Sequence, residues 1–269
     1  MSLSLVEKFE SIEIGLTDVI SVHDEHVCKF HQKQYLDALR IYEEVLKKYQ
    51  EIYSAYSNNE FGHRDGPISD WDDIRHTQTR IEKAFGEFIN SICYHFERRY
   101  KFTINRDFKE KYDTTITYHD IVHEIVGQLD GLNFEEKAVR ELKEQLLNYY
   151  FKVEVVKRKA NLKGFMYTEE GFSGNKRFHY SWREKLYCLT ANLSHFEFGD
   201  IEPTQKYNQL MQELDRNRDD EEFTFKKHPI LYDDVKSLTF RKNRKVEIEF
   251  LDEGTALKFA REYLGWEEE

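Results

Sequence analysis

Two histidines stand one helical turn apart in the stretch HDIVHE, residues 119–124. Residues four apart share one face of a helix, so His119 and His123 would point the same way, close enough to bind one metal ion. Glu124 would add a carboxylate, and a metal-dependent hydrolase would need a further ligand from elsewhere in the chain. The alternative is a histidine pair that only hydrogen-bonds to its neighbours. We therefore predict no cofactor, with a divalent metal on His119, His123 and Glu124 as the alternative.

Basic and aromatic residues are interleaved between residues 152 and 185. This range holds nine basic residues against four acidic ones, inside a chain whose formal net charge is −11. Cations bind phosphates and aromatic rings stack on bases, so this composition predicts contact with single-stranded nucleic acid. The residues predicted to make that contact are Lys157, Arg158, Lys159, Lys176, Arg177, Tyr180, Trp182 and Arg183. The alternative is a solvated helix end followed by a strand whose rings belong to the core.

Several other kinds of site are missing from the sequence. The glycine-rich stretch at 171–176 is too short for a phosphate loop, and neither GxGxxG nor GxSxG occurs. The three cysteines form no CxxC pair, which predicts reduced, partly buried thiols rather than disulfides or a zinc ribbon. Cys93 and His95 are close in sequence but would not face each other on a helix. His23 and His26 form a weaker histidine pair of the same kind as 119–124.

Two long amphipathic helices open the chain. The first follows Thr17 as a helix cap, and a turn-rich loop over 57–69 separates it from the second, which Ser69 and Asp72 would cap. Apolar residues recur at alternating steps of three and four along both helices, which predicts an antiparallel helix hairpin. The first stripe is Tyr35, Leu39, Tyr42, Leu46, Tyr49, Tyr53 and Tyr56, and the second is Trp71, Ile74, Gln78, Ile81, Phe85, Phe88, Ile92 and His95.

Shorter elements follow in the rest of the chain. We expect a helix from Thr117 to about Gly127, and a third long helix after Asn133 with an apolar stripe that reaches Val156. Alternating Phe178, Tyr180 and Trp182 predict a strand, and helical spacing returns over 186–196 and 207–214. Two alternating segments around a basic turn at 242–244 predict a β-hairpin, and a helix over about 254–264 follows it.

The overall composition narrows the class of protein. No apolar stretch approaches the length of a membrane span, and the first residues lack a basic-then-apolar signal pattern, so we expect a cytoplasmic protein without membrane contact. An acidic net charge means that any contact with nucleic acid must come from a local surface. Only three prolines and twelve glycines interrupt the chain, which favours long helices over a many-turned β architecture.

Both ends of the chain resemble sequences of one family. The stretches are TDVISVHDEHVCKFHQKQYLDALRIYEE (17–44) and SLTFRKNRKVEIEFLDEGTALKFAREYL (237–264). Together they are similar to a family of uncharacterised bacterial proteins carried on plasmids and phages, often joined to or encoded beside DNA methyltransferases. The resemblance implies a mobile-element setting. It includes no catalytic motif, so it implies no enzymatic residue.

We predict an α+β fold that is mostly helical. A bundle of long helices would occupy residues 1–160, and a smaller mixed portion over 161–269 would end in the hairpin and helix and pack on the bundle. The tyrosine-rich stripes also predict a homodimer. For function we expect a nucleic-acid-associated accessory protein without catalysis of its own. A metal-dependent hydrolase and a protein-interaction scaffold remain open as alternatives, so the sequence leaves open whether the chain is an enzyme.

Overall fold

The computed structural model describes residues 20–57, 71–171 and 174–267. It divides the chain into two compact units, with the division between Phe134 and Glu135. The predicted helix caps at Thr17 and Ser69, and most of the predicted loop over 57–69, lie outside the described residues. Long helices come first and a sheet with further helices follows, so the predicted α+β, mostly helical class is confirmed.

Two long helices dominate the N-terminal unit: α1 (Val22–Ser57) and α2 (Trp71–Tyr100). Asp24 near the start of α1 bonds His95 near the end of α2, and Tyr35 stacks on Phe88 with ring centroids 4.6 Å apart. The start of one helix therefore lies beside the end of the other, which makes the pair antiparallel, as the matched stripes predicted.

Burial of the α1 stripe decreases along the helix. Tyr35 and Leu39 are buried, Tyr42, Leu46 and Tyr49 are half-buried, and Tyr53 is 36% exposed. The predicted homodimer, which would cover such a stripe, stays a prediction.

A short 3₁₀ turn (Asp107–Lys111) and helix α3 (Tyr118–Gly127) complete this unit. Thr117 caps α3: its hydroxyl accepts from the Asp120 amide, and the Asp120 carboxylate accepts from the Thr117 amide at 2.8 Å. This reciprocal arrangement satisfies two amides that the first turn leaves unpaired. The helix predicted after Thr117 is therefore present with the expected bounds.

Helix α4 (Phe134–Leu147) leads into the C-terminal unit, which starts at the second residue of this helix, Glu135. The predicted third stripe extends beyond the end of this helix, because Val153 and Val156 lie in strand β1 (Lys152–Val156). A run of β-branched valines favours a strand, and here it pairs with the next segment of chain. Leu146 of α4 joins the core of this unit, and the Leu142 carbonyl accepts from Asn192. The division at 134–135 therefore differs from the predicted boundary near 160.

A five-stranded antiparallel sheet forms the centre of this unit. Its strands are β1 (Lys152–Val156), β2 (Lys159–Lys163), β5 (Lys227–Pro229), β6 (Val235–Phe240) and β7 (Lys245–Phe250). Their spatial order is β1-β2-β7-β6-β5. A second, two-stranded sheet pairs β3 (Thr168–Glu170) with β4 (Lys176–Phe178). The predicted C-terminal hairpin is β6–β7, and strand β2 pairs with the other side of β7.

Helices cover the apolar side of the large sheet. They are α5 (Trp182–Phe198), α6 (Gln205–Arg216), the single turn α7 (Glu221–Thr224) and α8 (Glu253–Tyr263). Val246, Ile248 and Phe250 alternate towards this side, where the Phe250 and Phe259 rings lie 5.3 Å apart. The strand predicted through Trp182 ends at Phe178 instead, because Trp182 begins α5 and is only 3% exposed.

Candidate functional site

The predicted metal pair lies on α3. His123 is exposed, and the half-buried His119 ring lies 3.9 Å from the ring of Tyr118. Glu124 follows His123 by one residue, about 100° further round the helix, and accepts from Tyr112 Oη at 3.0 Å and from Lys111 Nζ at 3.1 Å. Across 20–57, 71–171 and 174–267, no group of three or more His, Cys, Asp or Glu side chains could hold a metal ion.

The residues predicted to contact nucleic acid fall into two separate groups, the first over 157–159 and the second over 176–183. The second group surrounds β4 and the start of α5, where the acidic run at 215–222 neutralises much of its charge. Arg177 contacts Glu169 at 3.0 Å and Asp219 at 3.2 Å, and Arg183 contacts Asp215 at 2.9 Å.

The rings of this second group differ in their exposure. Tyr180 is 76% exposed, whereas Trp182 packs beside Phe178 in the core and is no stacking platform. The Lys176 amide donates to Glu221, one more residue of the acidic run. The arginines of this group are therefore paired with carboxylates of the chain, and its contact with nucleic acid stays a prediction.

Lys185, a basic residue of the same stretch, is also part of the core. Its Nζ donates to the Phe165 carbonyl at 3.0 Å and lies 3.9 Å from the centroid of the Tyr167 ring. Burial lowers the pKa of Lys185 from its ordinary value. This lysine therefore contributes to packing and not to a surface charge.

The first group, Lys157 to Lys159, lies at the turn between β1 and β2 and borders the polar side of the large sheet. Because side chains alternate along a strand, residues paired across the sheet share one side. The register places Lys159 opposite Glu249, and Asn161 opposite Glu247. We call this side the cationic sheet face. Its described side chains are Lys152, Glu154, Val156, Lys159, Asn161, Lys163, Lys227, Pro229, Ser237, Thr239, Lys245, Glu247 and Glu249.

Two glutamates of β7 lie at the centre of the cationic sheet face. Glu247 receives a two-pronged contact from Arg241 at 3.1 and 3.0 Å, and further contacts from Lys245 at 2.5 Å and Lys159 at 3.5 Å. Burial raises the pKa of Glu247, but the hydrogen bonds from Arg241 and Lys245 outweigh it and lower the pKa to about 2. The carboxylate therefore stays charged at neutral pH.

Glu249 has a similar set of partners. Arg158 contacts it at 2.6 Å, Lys227 hydrogen-bonds it, and the Ser237 hydroxyl donates to it at 2.9 Å. The hydrogen bond from Lys227 is the main cause that lowers the pKa of Glu249 to about 2. Five cations thus share two carboxylates.

The cationic side chains are more exposed to solvent than the carboxylates that they contact. The two glutamate side chains are each 8% exposed, whereas the five cationic side chains are between 25% and 59% exposed. The surplus positive charge therefore faces solvent on ordered side chains, which suits an anionic ligand such as a phosphate. None of the face residues named above is aromatic, so this surface offers charge rather than base stacking.

A second arrangement with chemical potential lies in the N-terminal unit, between the start of α1 and the end of α2. A cleft of about 510 Å³ is open to solvent there. We call it the histidine cleft; its lining residues are His23, His31, Ser91, Tyr94, His95, Arg98 and Arg99. The antiparallel pairing of the two helices brings these residues together.

A fully buried carboxylate supports this cleft. Asp24 is 0% exposed and accepts from the Ser21 hydroxyl at 2.5 Å, from Tyr100 Oη at 2.6 Å and from His95 Nε2 at 2.7 Å, with Arg99 Nε at 3.3 Å. Burial alone would raise the pKa of Asp24, but these hydrogen bonds lower it below its ordinary value. The result is an anion that orients His95.

Sequence reasoning singled out His23 but not the cleft. The missed signal is Asp24, which precedes Cys28 by four residues and so lies on the buried stripe of α1. An acidic residue at such a position needs hydrogen-bonding partners, and the antiparallel hairpin places the end of α2 opposite it.

The three cysteines are not candidate nucleophiles. Cys28, Cys93 and Cys188 are free and buried, which confirms the predicted reduced thiols. Burial raises the pKa of these thiols to about 12, 11 and 12, respectively. Since the thiolate is the reactive form, they are inert at neutral pH.

General comparisons complete the description of the chain. Within the part that the structure describes, no helix is both long enough and apolar enough to cross a membrane. No protein-family model, curated protein or solved structure matches this chain.

Proposed function

We propose that the chain is a nucleic-acid-associated accessory protein that binds the phosphate backbone of a single strand on its cationic sheet face. The observation that supports this most is the sharing of two buried carboxylates, Glu247 and Glu249, by five solvent-exposed cations. Isolated surface lysines are mobile and hydrated. Lysines and arginines held by a common carboxylate have already lost part of their side-chain entropy, so phosphates meet ordered donors.

The acidic net charge of the chain is compatible with this binding. At an ionic strength of 0.1 M, screening limits charge interactions in solvent to about 10 Å, so a phosphate on the face is influenced mostly by the local cations. A single strand is also the better ligand, because a twisted sheet offers its charges along a curved path. Duplex DNA, with a persistence length of about 50 nm, would have to bend to follow that path.

The test is binding of a fluorescent single-stranded oligonucleotide over a series of salt concentrations. We expect a dissociation constant of roughly 1–100 μM near physiological salt, with tighter binding at low salt. The double variant Lys159→Gln/Lys227→Gln should bind more weakly. Its plot of log affinity against log salt should be shallower by roughly 1.4, at about 0.7 for each lost phosphate contact.

A matched control variant changes the net charge by the same amount as Lys159→Gln/Lys227→Gln. Lys29→Gln/Lys48→Gln also removes two positive charges, from side chains that are 56% and 71% exposed in the N-terminal unit. If both double variants weaken binding equally, the effect is one of overall charge and the sheet face is not the site. Absent binding of the wild-type chain at low salt would refute the proposal outright.

A further inference from the structure

We propose that the histidine cleft is an active site that cleaves single-stranded RNA without a metal, by general acid–base catalysis at the ribose 2′-hydroxyl. This activity goes beyond binding on the sheet face and does not depend on it. It rests on imidazoles and guanidiniums that line one open cleft of about 510 Å³, and on a buried carboxylate that bonds one of those imidazoles. Such groups supply what phosphodiester cleavage needs: a base, an acid, and positive charge for the phosphate.

The acid of the proposed reaction is His95. Its Nε2 bonds the buried Asp24 carboxylate at 2.7 Å, which orients the ring and places a negative charge beside it. Its other ring nitrogen, Nδ1, has no hydrogen bond to any of the described residues and remains for a substrate. The side chain is 16% exposed, so it is held by the fold and still open to the cleft. Asp24 acts through His95 and is a positioning residue.

The base is His31. Burial lowers its pKa, and the positive charge of His95 lowers it further, so the neutral form that can accept a proton is favoured. His23 also lines the cleft, and its ring centroid lies 5.9 Å from that of His95. We assign it to substrate binding, since its ring is exposed at the edge of the cleft.

The arginines and the tyrosine complete the substrate site. Arg98 is exposed and makes no ion pair with a described residue, so its guanidinium can meet a phosphate. Arg99 keeps one contact to Asp24 while its side chain stays 39% exposed. Tyr94 is 61% exposed at the rim and offers a ring on which a base could stack.

The chemical step balances without any further reactant. Neutral His31 takes the proton of the 2′-hydroxyl, the 2′-oxygen forms a bond to phosphorus, and the bond from phosphorus to the 5′-oxygen breaks. The His95 imidazolium gives its proton to that departing oxygen. The products are a 2′,3′-cyclic phosphate and a free 5′-hydroxyl, and the reaction consumes no water, metal or oxidant.

The decisive substrate is a DNA strand that contains a single ribonucleotide, incubated with the full chain in excess EDTA. We expect one cut, after the ribonucleotide, and no cut in the all-deoxy strand. His95→Gln and His31→Gln should each lower the rate by at least about 100-fold. The matched control is His26→Gln, the same change at an exposed α1 histidine outside the cleft, which should leave the rate unchanged.

The positioning role of Asp24 has its own readout. Asp24→Asn should lower kcat and leave KM unchanged, because Asp24 is buried behind His95 and touches no substrate, whereas a general distortion of the cleft would also raise KM.

The Arg98→Gln variant distinguishes a loss of substrate binding from a loss of folding. Because Arg98 is exposed, Arg98→Gln should fold normally and raise KM roughly tenfold, as expected for a lost charge-assisted contact. Cleavage that persists in His95→Gln, equal cutting of the all-deoxy strand, or no cutting by the wild-type chain would each overturn the proposal.

Binding on the sheet face and cleavage in the cleft can be measured separately. His31→Gln, which replaces a neutral ring, should bind oligonucleotide on the sheet face with unchanged salt dependence, and Lys159→Gln/Lys227→Gln should still cleave a dinucleotide. Failure of cleavage with intact binding therefore rejects only the cleft, and the reverse result rejects only the sheet face.

Discussion

Replacement of Glu249 by glutamine should destabilise the C-terminal unit at neutral pH and have no effect in strong acid. The pKa of Glu249 is about 2 in the folded chain against an ordinary 4.5, so the folded state holds this proton more weakly than the unfolded state. The stability that the carboxylate provides is therefore complete above pH 4.5 and is lost as pH falls towards 2.

The magnitude follows from that difference and from the exposure of the partners. A pKa difference of this size corresponds to at most about 3 kcal/mol of folding free energy. Arg158 and Lys227 are 56% and 59% exposed, so solvent screens their attraction to the carboxylate. We therefore expect Glu249→Gln to lower the free energy of unfolding by about 1–2 kcal/mol at pH 7.

The assay is urea unfolding at a series of pH values. Trp182 and Trp266 both lie in the C-terminal unit, so tryptophan fluorescence reports on that unit once Trp71 has been replaced by phenylalanine. The difference in stability between the parent chain and its Glu249→Gln variant should shrink as pH falls from 4.5 to 2. A difference that is constant over that range would refute the electrostatic reasoning and point to lost packing instead.

Three further perturbations test the fold. Ile248→Ala should lower the free energy of unfolding by about 2–5 kcal/mol in denaturant titrations, because a fully buried side chain leaves a cavity; a loss below about 1 kcal/mol would contradict its place in the core. Thr117→Ala should cost about 1 kcal/mol through loss of the α3 cap, whereas Thr115→Ala, at an exposed site outside the helix, should cost less. The three buried thiols, of Cys28, Cys93 and Cys188, should react with a disulfide reagent only after unfolding. Rapid reaction of the native chain would contradict their burial.

Local signals in the sequence predicted much of the fold. Thr117 with Asp120 marked the start of α3, and alternation on both sides of a basic turn marked β6 and β7. These signals worked because caps and tight hairpins are decided by residues only a few positions apart.

The failures came from contacts between distant segments. Spacing alone extended the third helix through Val153 and Val156, whereas pairing of this segment with β2 makes it a strand. Trp182 alternated with Phe178 but starts a helix, and its ring packs into the core of the unit. A short apolar pattern fits either structure, and tertiary packing selects between them.

The candidate sites were predictable only in part, for the same reason. Arg158 was identified from its basic neighbours, but its carboxylate partner Glu249 lies on a strand far along the chain. The histidine cleft needs Asp24 and His95 from the two ends of a long helix hairpin. Charge counted over a local window cannot show which cations are neutralised, as Arg177 and its acidic partners demonstrate.

The order of strands in the large sheet has a consequence for synthesis on the ribosome. The described helices of the N-terminal unit, α1 to α3, are complete once residue 134 has been made, whereas β2 must wait for β7, its partner over residues 245–249. Until then the apolar side of the β1–β2 hairpin has neither its neighbouring strand nor helix α8 to cover it. Nascent chains stalled between residues 163 and 245 should therefore bind chaperones through this hairpin, while their N-terminal units already resist proteases.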